Sequence, residues 1–303
     1  MDFIDKLKQR YGSASLLMRF IYINIAVFVV LRVTGLVSFL LTGSGDSFVQ
    51  WVELPSSLLM LMQRPWTIIT YMFSHYGLLH ILFNMLWLFW LGRIFLDCFT
   101  PRQLGGLYVL GGLGGAALFV LAYNLLPSLA SQQAMLIGAS ASVMAIVIAI
   151  AVYRPGYQVG LLFIGPVSLK WIAIVTVFLD LISIEGANAG GHIAHLGGML
   201  VGLWFALGIK RGHDITSWIN RAIDAVVSLF KNKKSDAMRQ PVGGKRYRYH
   251  QSQQEKSSKN ASSNNTRDEA RLDEILGKLK RSGYDALTDE EKEFLFNASR
   301  KRF

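Results

Sequence analysis

A single cysteine, Cys98, stands in 303 residues, so no internal disulfide framework can hold this fold together. Charge is scarce over most of the chain. Residues 1–209 carry 10 of the 31 Lys and Arg, and residues 210–303 carry the other 21 beside 13 acids. With 52% hydrophobic residues and a mean hydropathy of +0.34, this distribution excludes an ordinary soluble enzyme. The first two thirds read as a membrane body and the last third as a basic, water-facing tail. The tail lacks any nucleic-acid reading motif, so membrane-surface attraction and topology account for its charge, and no nucleic-acid partner is expected. Lys6, Lys8, Arg10 and Arg19 precede the first apolar run, but no small-residue cleavage site follows it. A retained anchor is expected rather than a cleaved signal.

What the chain does have is a succession of apolar runs. Six spans fit: about Phe20 to Leu41, Leu78 to Leu96, Leu104 to Leu126, Gly138 to Tyr153, Leu169 to Ile184 and Gly190 to Ile209. Several fall short of the ~20 residues a perpendicular span needs, which requires thinned lipid or shielding by neighbouring helices. Arg93, Arg102, Arg154, Lys170 and the tail fall on one side of this arrangement. The opposite connections, 127–137 and 185–189, carry no Lys or Arg, and the first long loop carries only Arg64. The positive-inside rule then places both termini in the cytoplasm. The expected class is an all-α polytopic membrane protein, in contact with the lipids around it.

Polar groups inside such runs are costly without partners, which makes them functional candidates. Ser140 opens the fourth span two residues after Gly138, where unused backbone donors face incoming negative charge. An isolated serine in a membrane helix most often bonds back to a carbonyl. Its place at a helix start makes this one a candidate nucleophile with oxyanion donors nearby. His195, about five residues into the sixth span, offers a base of near-neutral pKa. Gly198 and Gly202, with Ala194, form a small-residue face on which the sixth span can approach the fourth. His80 and Asn84 lie four apart on one face of the second span. They either tie helices together or donate to an oxyanion, Asn84 the more surely because an amide needs no protonation. His75 and His192 are expected at the water boundary. A zinc site is not expected, because no carboxylate stands near the histidines in an H-E-x-x-H arrangement.

Arg64-Pro65-Trp66, Tyr71-Met72-Phe73-Ser74-His75, His80 with Asn84, Leu91-Gly92-Arg93, Tyr108, Gly138-Ala139-Ser140 and Ala194-His195-Leu196-Gly197-Gly198 with Gly202 follow in that order. Together, across residues 16–209, they resemble the rhomboid family of intramembrane serine proteases. The resemblance implies a six-transmembrane-helix core, with Ser140 as nucleophile and His195 as base, the latter set by its spacing to Gly198 and Gly202. It implies that His80, Asn84 and the Gly138 region help the Ser140 amide to stabilise an oxyanion. The implied machinery is a dyad with no charged group fixing the His195 tautomer, and with no metal or cofactor. The implied substrates are transmembrane proteins, cut near the outer end of a helix at a small residue with helix-weakening neighbours. Two positions depart from the family pattern. Ala141 replaces the usual glycine after the nucleophile, for which slight repacking with activity retained is expected, and Asp97 is displaced by one place from the usual acid. The alternative is a catalytically silent relative that binds membrane helices, against which the intact Ser140 and His195 speak. A transporter would put charged or unwound groups midway through its helices.

The remaining segments read as follows. Residues 1–19 are a cytoplasmic N-terminal segment and residues 20–209 the membrane domain. Trp51 to Trp66, broken by Pro55 and Pro65, suits a hairpin lying on the outer leaflet, and 154–170 a cytoplasmic loop. Residues 210–234 suit an amphipathic surface helix and 235–266 a flexible linker. Residues 267–303 suit a small helical hairpin, in which Thr288 and Glu291 form a capping box. The Leu287-Thr288-Asp289-Glu290-Glu291-Lys292 stretch is similar to tails of Bacteroidetes-type rhomboids. It buries little alone, so a cytoplasmic partner for the tail is expected.

Overall fold

The computed structural model describes residues 11–45, 48–161, 164–186 and 188–230, with Asp5, Gln9, Glu274, Ile275, 277–279, 287–292 and Phe294. Two units are distinguished, Met1–Phe230 and Lys231–Phe303. The expected linker 235–266 lies outside the described residues.

Helix α1 (Leu16–Thr42) starts four residues before the apolar run suggests, because the Ser15 side chain caps it by accepting from the Met18 amide. Gly43, at φ 73°, ends it by returning its N–H to Phe39 O. Helix α2 (Leu78–Leu96) follows a long connection, and α3 (Pro101–Leu125) starts at a capping box between Thr100 and Gln103 with Pro101 in the first turn. Then come α4 (Ser140–Tyr153), α5 (Leu169–Ile182), α6 (Ala189–Lys210) and α7 (Ser217–Phe230). Among the described residues, α1, α2, α3 and α6 are long and apolar enough to cross a membrane, and α4 is a shorter apolar helix.

Helix α4 is the centre of the first unit. Ten of its fourteen residues are buried, as expected of a helix that is apolar all round. At 1.5 Å per residue it is roughly 21 Å long, less than the ~30 Å hydrocarbon core. Its neighbours enclose most of its length.

The enclosure depends on glycine. A Cβ at Gly198 would fall 2.0 Å from Ala141 O, and one at Gly202 2.2 Å from Ala145 O, so α6 lies directly on the α4 backbone. On the α3 side, Cβ atoms at Gly111 and Gly115 would fall 2.5 Å from the Ala145 and Ala141 methyl groups. Between α3 and α6, a Cβ at Gly197 would meet Gly114 O at 2.3 Å. Small residues let three backbones approach more closely than any larger side chain allows. The Gly198–Gly202 face of the sequence thus makes the contact expected of it, and Ala141 occupies the middle of the seam.

The connection before α2 is tied to the segment that precedes α4. Leu54–Pro55 (β1) pairs antiparallel with Met135–Leu136 (β2), Leu54 opposite Leu136. Ser56 strengthens the join, its amide donating to Ala134 O and its Oγ accepting from the Ala134 amide. A one-and-a-half-turn helix (Leu58–Gln63) follows, with Leu58, Leu59 and Met62 exposed. The 154–170 segment, expected as a loop, contains an antiparallel hairpin of β3 (Gln158–Leu161) and β4 (Gly165–Ser168), with Gly165 at φ 93°. Helix α7 is tied to the start of α3. Asn220 donates to Arg102 O, Arg102 pairs with Asp224, and Gln103 donates to Asp214. Trp218, Val226 and Val227 stay exposed. In the second unit Thr288 and Glu291 form the expected capping box, and Lys278 pairs with Glu291 at 2.9 Å.

Candidate active site

The residues before Ser140 are held by two bonds to the Tyr71–His75 stretch, and a third fixes that stretch to α3. The Gly138 amide donates to Tyr71 O at 3.0 Å, the Ala139 amide to His75 Nε2 at 3.4 Å, and Tyr71 Oη to Gly112 O at 2.6 Å. Gly138 sits at φ 131°, a backbone region that suits glycine and delays the start of α4 to Ser140. The first ladder bond runs from the Val143 amide to Ala139 O. The Ser140, Ala141 and Ser142 amides therefore have no acceptor within the helix.

His75 is 1% exposed, so its expected place at the water boundary is corrected. Burial, with His80 beside it, pushes its imidazole down to about 3, so the ring is neutral and Nε2 is free to accept. Its Nδ1 is buried without a partner. His75 thus acts as a strut beneath the Ser140 turn.

His80, Asn84, Ser140 and His195 line one cavity of about 540 Å³, together with Tyr76 and Trp87. They come from α2, α4 and α6, whose N-terminal ends meet there. Asn84 donates one N–H to His80 O at 2.9 Å, which leaves its second N–H uncommitted by that bond. Gly138 adjoins both His80 and Ser140. Its own amide is spent on Tyr71, while a Cβ there would fall 2.8 Å from His80 Nε2 and 3.7 Å from Ser140 Oγ.

The largest difference from the sequence reading concerns His195. A dyad with nothing charged at the histidine is expected from sequence, but Asp180 Oδ1 lies 2.8 Å from His195 Nδ1 and 2.7 Å from His192 Nδ1. Asp180 is 5% exposed. Sequence reasoning passes over it because it lies 15 residues before His195, alone in an apolar helix. The available signal was its cost, since a carboxylate in such a helix needs donors. His192 is engaged with the same carboxylate, its side chain partly exposed.

Asp180, His192 and His195 form the group among the described residues with ligand atoms close enough for a metal, within 4.8 Å of one another. Tetrahedral ligands about 2.0–2.1 Å from zinc stand about 3.3 Å apart. The 2.7 and 2.8 Å separations here are those of hydrogen bonds to a carboxylate. Among the described residues no hydrogen bond joins Ser140 Oγ to His195. Such bonds commonly tighten only when substrate binds.

Comparison with known proteins agrees with this architecture. The Rhomboid domain family matches residues 62–212. RHOMBOID-like protein 12, mitochondrial, of Arabidopsis thaliana is 31% identical over 157 residues, 48% of this chain and 47% of that protein. Presenilin-associated rhomboid-like protein A, mitochondrial, of Danio rerio is 27% identical over 147 residues, 47% of this chain and 36% of that protein. The chain spans about half the length, or less, of these curated relatives. The matched stretch holds every residue lining the cavity and the glycine seam around it. The chain is a rhomboid-family membrane protein.

Proposed function

We propose that the protein is an intramembrane serine endopeptidase that cuts substrate transmembrane helices near one end. The observation that carries this reading is the convergence of Ser140, His195, His80 and Asn84, from three helices, on one cavity. His195 Nε2 takes the proton of Ser140 Oγ as that oxygen attacks a peptide carbonyl. The resulting oxyanion is met by the Ser140 amide, the spare N–H of Asn84 and His80. His195 then returns the proton to the leaving amine, an acyl-enzyme remains, and water releases it by the same route.

In this reading all six helices α1 to α6 span the bilayer, both termini face the cytoplasm of a bacterial inner membrane, and the site opens on the opposite side. Substrates are transmembrane proteins whose helices unwind locally, with a small residue at the cleaved bond. The tail of the Bacteroidetes type docks a cytoplasmic partner. The second reading, a silent helix-binding member, draws on the missing Ser140–His195 hydrogen bond in this conformation.

Labelling with a fluorophosphonate in detergent or lipid separates the two. The protease predicts labelling of the wild type that both Ser140→Ala and His195→Ala abolish. No labelling of a folded wild type favours the silent binder, and labelling that survives Ser140→Ala means a different nucleophile.

A further inference from the structure

Helix α5 is otherwise poorly buried near its end, with Phe178, Leu179, Leu181 and Ile182 each more than half exposed. Asp180 alone in that turn points inward, against the first two turns of α6. An ionised carboxylate in apolar surroundings is stable only when donors satisfy it. Two imidazoles do so at one oxygen, and Oδ2 remains buried without a partner.

We propose that Asp180 is a positioning residue that holds His195 with its proton on Nδ1, turning the Ser140–His195 pair into a Ser–His–Asp relay. This rests on the reading of Ser140 as nucleophile and His195 as base. A carboxylate only accepts hydrogen bonds, so both rings donate through Nδ1. The Nε2 lone pair of His195 is then the one left for Ser140, the form a general base requires. Of the two histidines on Asp180, His195 lines the cavity and His192 does not. His192 acts as a second donor that keeps the carboxylate charged and in place. When His195 takes the serine proton, the resulting imidazolium lies against that charge, as in the Ser-His-Asp template.

A mere structural tie between α5 and α6 would need only a hydrogen bond, which asparagine also supplies. The test therefore measures fluorophosphonate inactivation of the full chain in detergent, resolving kinact from KI, for wild type, Asp180→Asn and Asp180→Glu. Asp180→Asn is expected to lower kinact by about ten-fold or more with KI within about two-fold, and Asp180→Glu to recover part of the loss. Unchanged kinact in folded Asp180→Asn overturns the proposal, as does loss of wild-type labelling on chelation, which would make the cluster a metal site.

A second readout does not depend on activity. Nitrogen-15 spectra of wild-type histidines, with His195 assigned against His195→Gln, are expected to show Nδ1 protonated and Nε2 bare. A proton on Nε2 overturns the proposal. Absent wild-type labelling with the Nδ1–H signature intact would instead bring down the protease reading while leaving Asp180 as the residue that holds the ring.

Discussion

Helices α1 and α4 are both apolar, yet the molecule uses them in opposite ways. Helix α1 has 27 residues and buries four of them, Leu17, Ile21, Asn24 and Leu31. Helix α4 has 14 residues and buries ten. Hydrophobicity alone does not separate them. The separation comes from residue size, since Ala141 and Ala145 let the glycines of α3 and α6 reach the α4 backbone, whereas α1 presents Val, Leu and Phe to its surroundings. In a bilayer, where lipid is as apolar as leucine, close packing rather than burial of oily surface decides which helix lies in the middle. The nucleophile candidate rides on the helix that is packed, and that seam is what holds it in place.

Helix α1 does make one polar anchor to the centre. Asn24 donates to Tyr108 Oη at 3.2 Å, and Tyr108 Oη donates to Met72 O at 2.7 Å. Phe20 stacks on the same Tyr108 ring at 4.5 Å. Through Met72 this chain of contacts reaches the Tyr71–His75 strut under Ser140.

The comparison breaks most readily at the seam. Gly198→Ala puts a methyl group where Ala141 O stands, a backbone clash that no rotamer relieves. A cost of about 3 kcal/mol or more is expected, as a large drop in melting temperature in detergent accompanied by lost labelling. Next in size is Gly138→Ala, which forces a non-glycine residue to φ 131° and crowds His80. About 1–3 kcal/mol of strain is expected. Labelling should fall further than the melting temperature implies, and a normal labelling rate would mean that the space beside His80 does not matter. Tyr108→Phe removes the donor to Met72 O and should cost about 1–3 kcal/mol, read in the same melt.

Acid should expose the His75 strut. Its folded pKa lies near 3, below the ordinary value of 6.5, so between those values the unfolded chain binds the extra proton. Stability from this residue is complete above about pH 6.5 and declines as pH falls toward 3. His75→Gln should flatten that part of the melting curve against pH, and an unchanged slope would assign it elsewhere. The smallest effect belongs to α1. Leu40 is 72% exposed, and Leu40→Ala should shift stability by no more than about 0.5 kcal/mol. A larger loss would show that the end of α1 carrying Leu40 is packed against something.

Much of this contrast is legible in the sequence. The apolar runs locate the helices, with ends shifted by caps such as Ser15 and Thr100–Gln103 that hydropathy does not weigh. The four-residue spacing of Gly198 and Gly202 forecasts the α6–α4 contact because such spacing marks one helical face. Ser140, His195, His80 and Asn84 are visible as polar exceptions in apolar stretches. What sequence does not convey is how α5 leans on α6, and so the meeting of Asp180 with two histidines stays hidden. The burial of His75 is hidden for the same reason, since its ring meets the Ala139 amide, far along the chain from its own position.

The central claim is that Ser140 is an activated nucleophile, and the most direct test is to map the adduct. Folded wild-type protein would be treated with a fluorophosphonate, digested, and the modified peptide sequenced by mass spectrometry. The account predicts one phosphonyl group, on Ser140, in a yield that falls when His195 is replaced. Modification of Ser142 or another hydroxyl, or a Ser140 yield indifferent to His195, would contradict it.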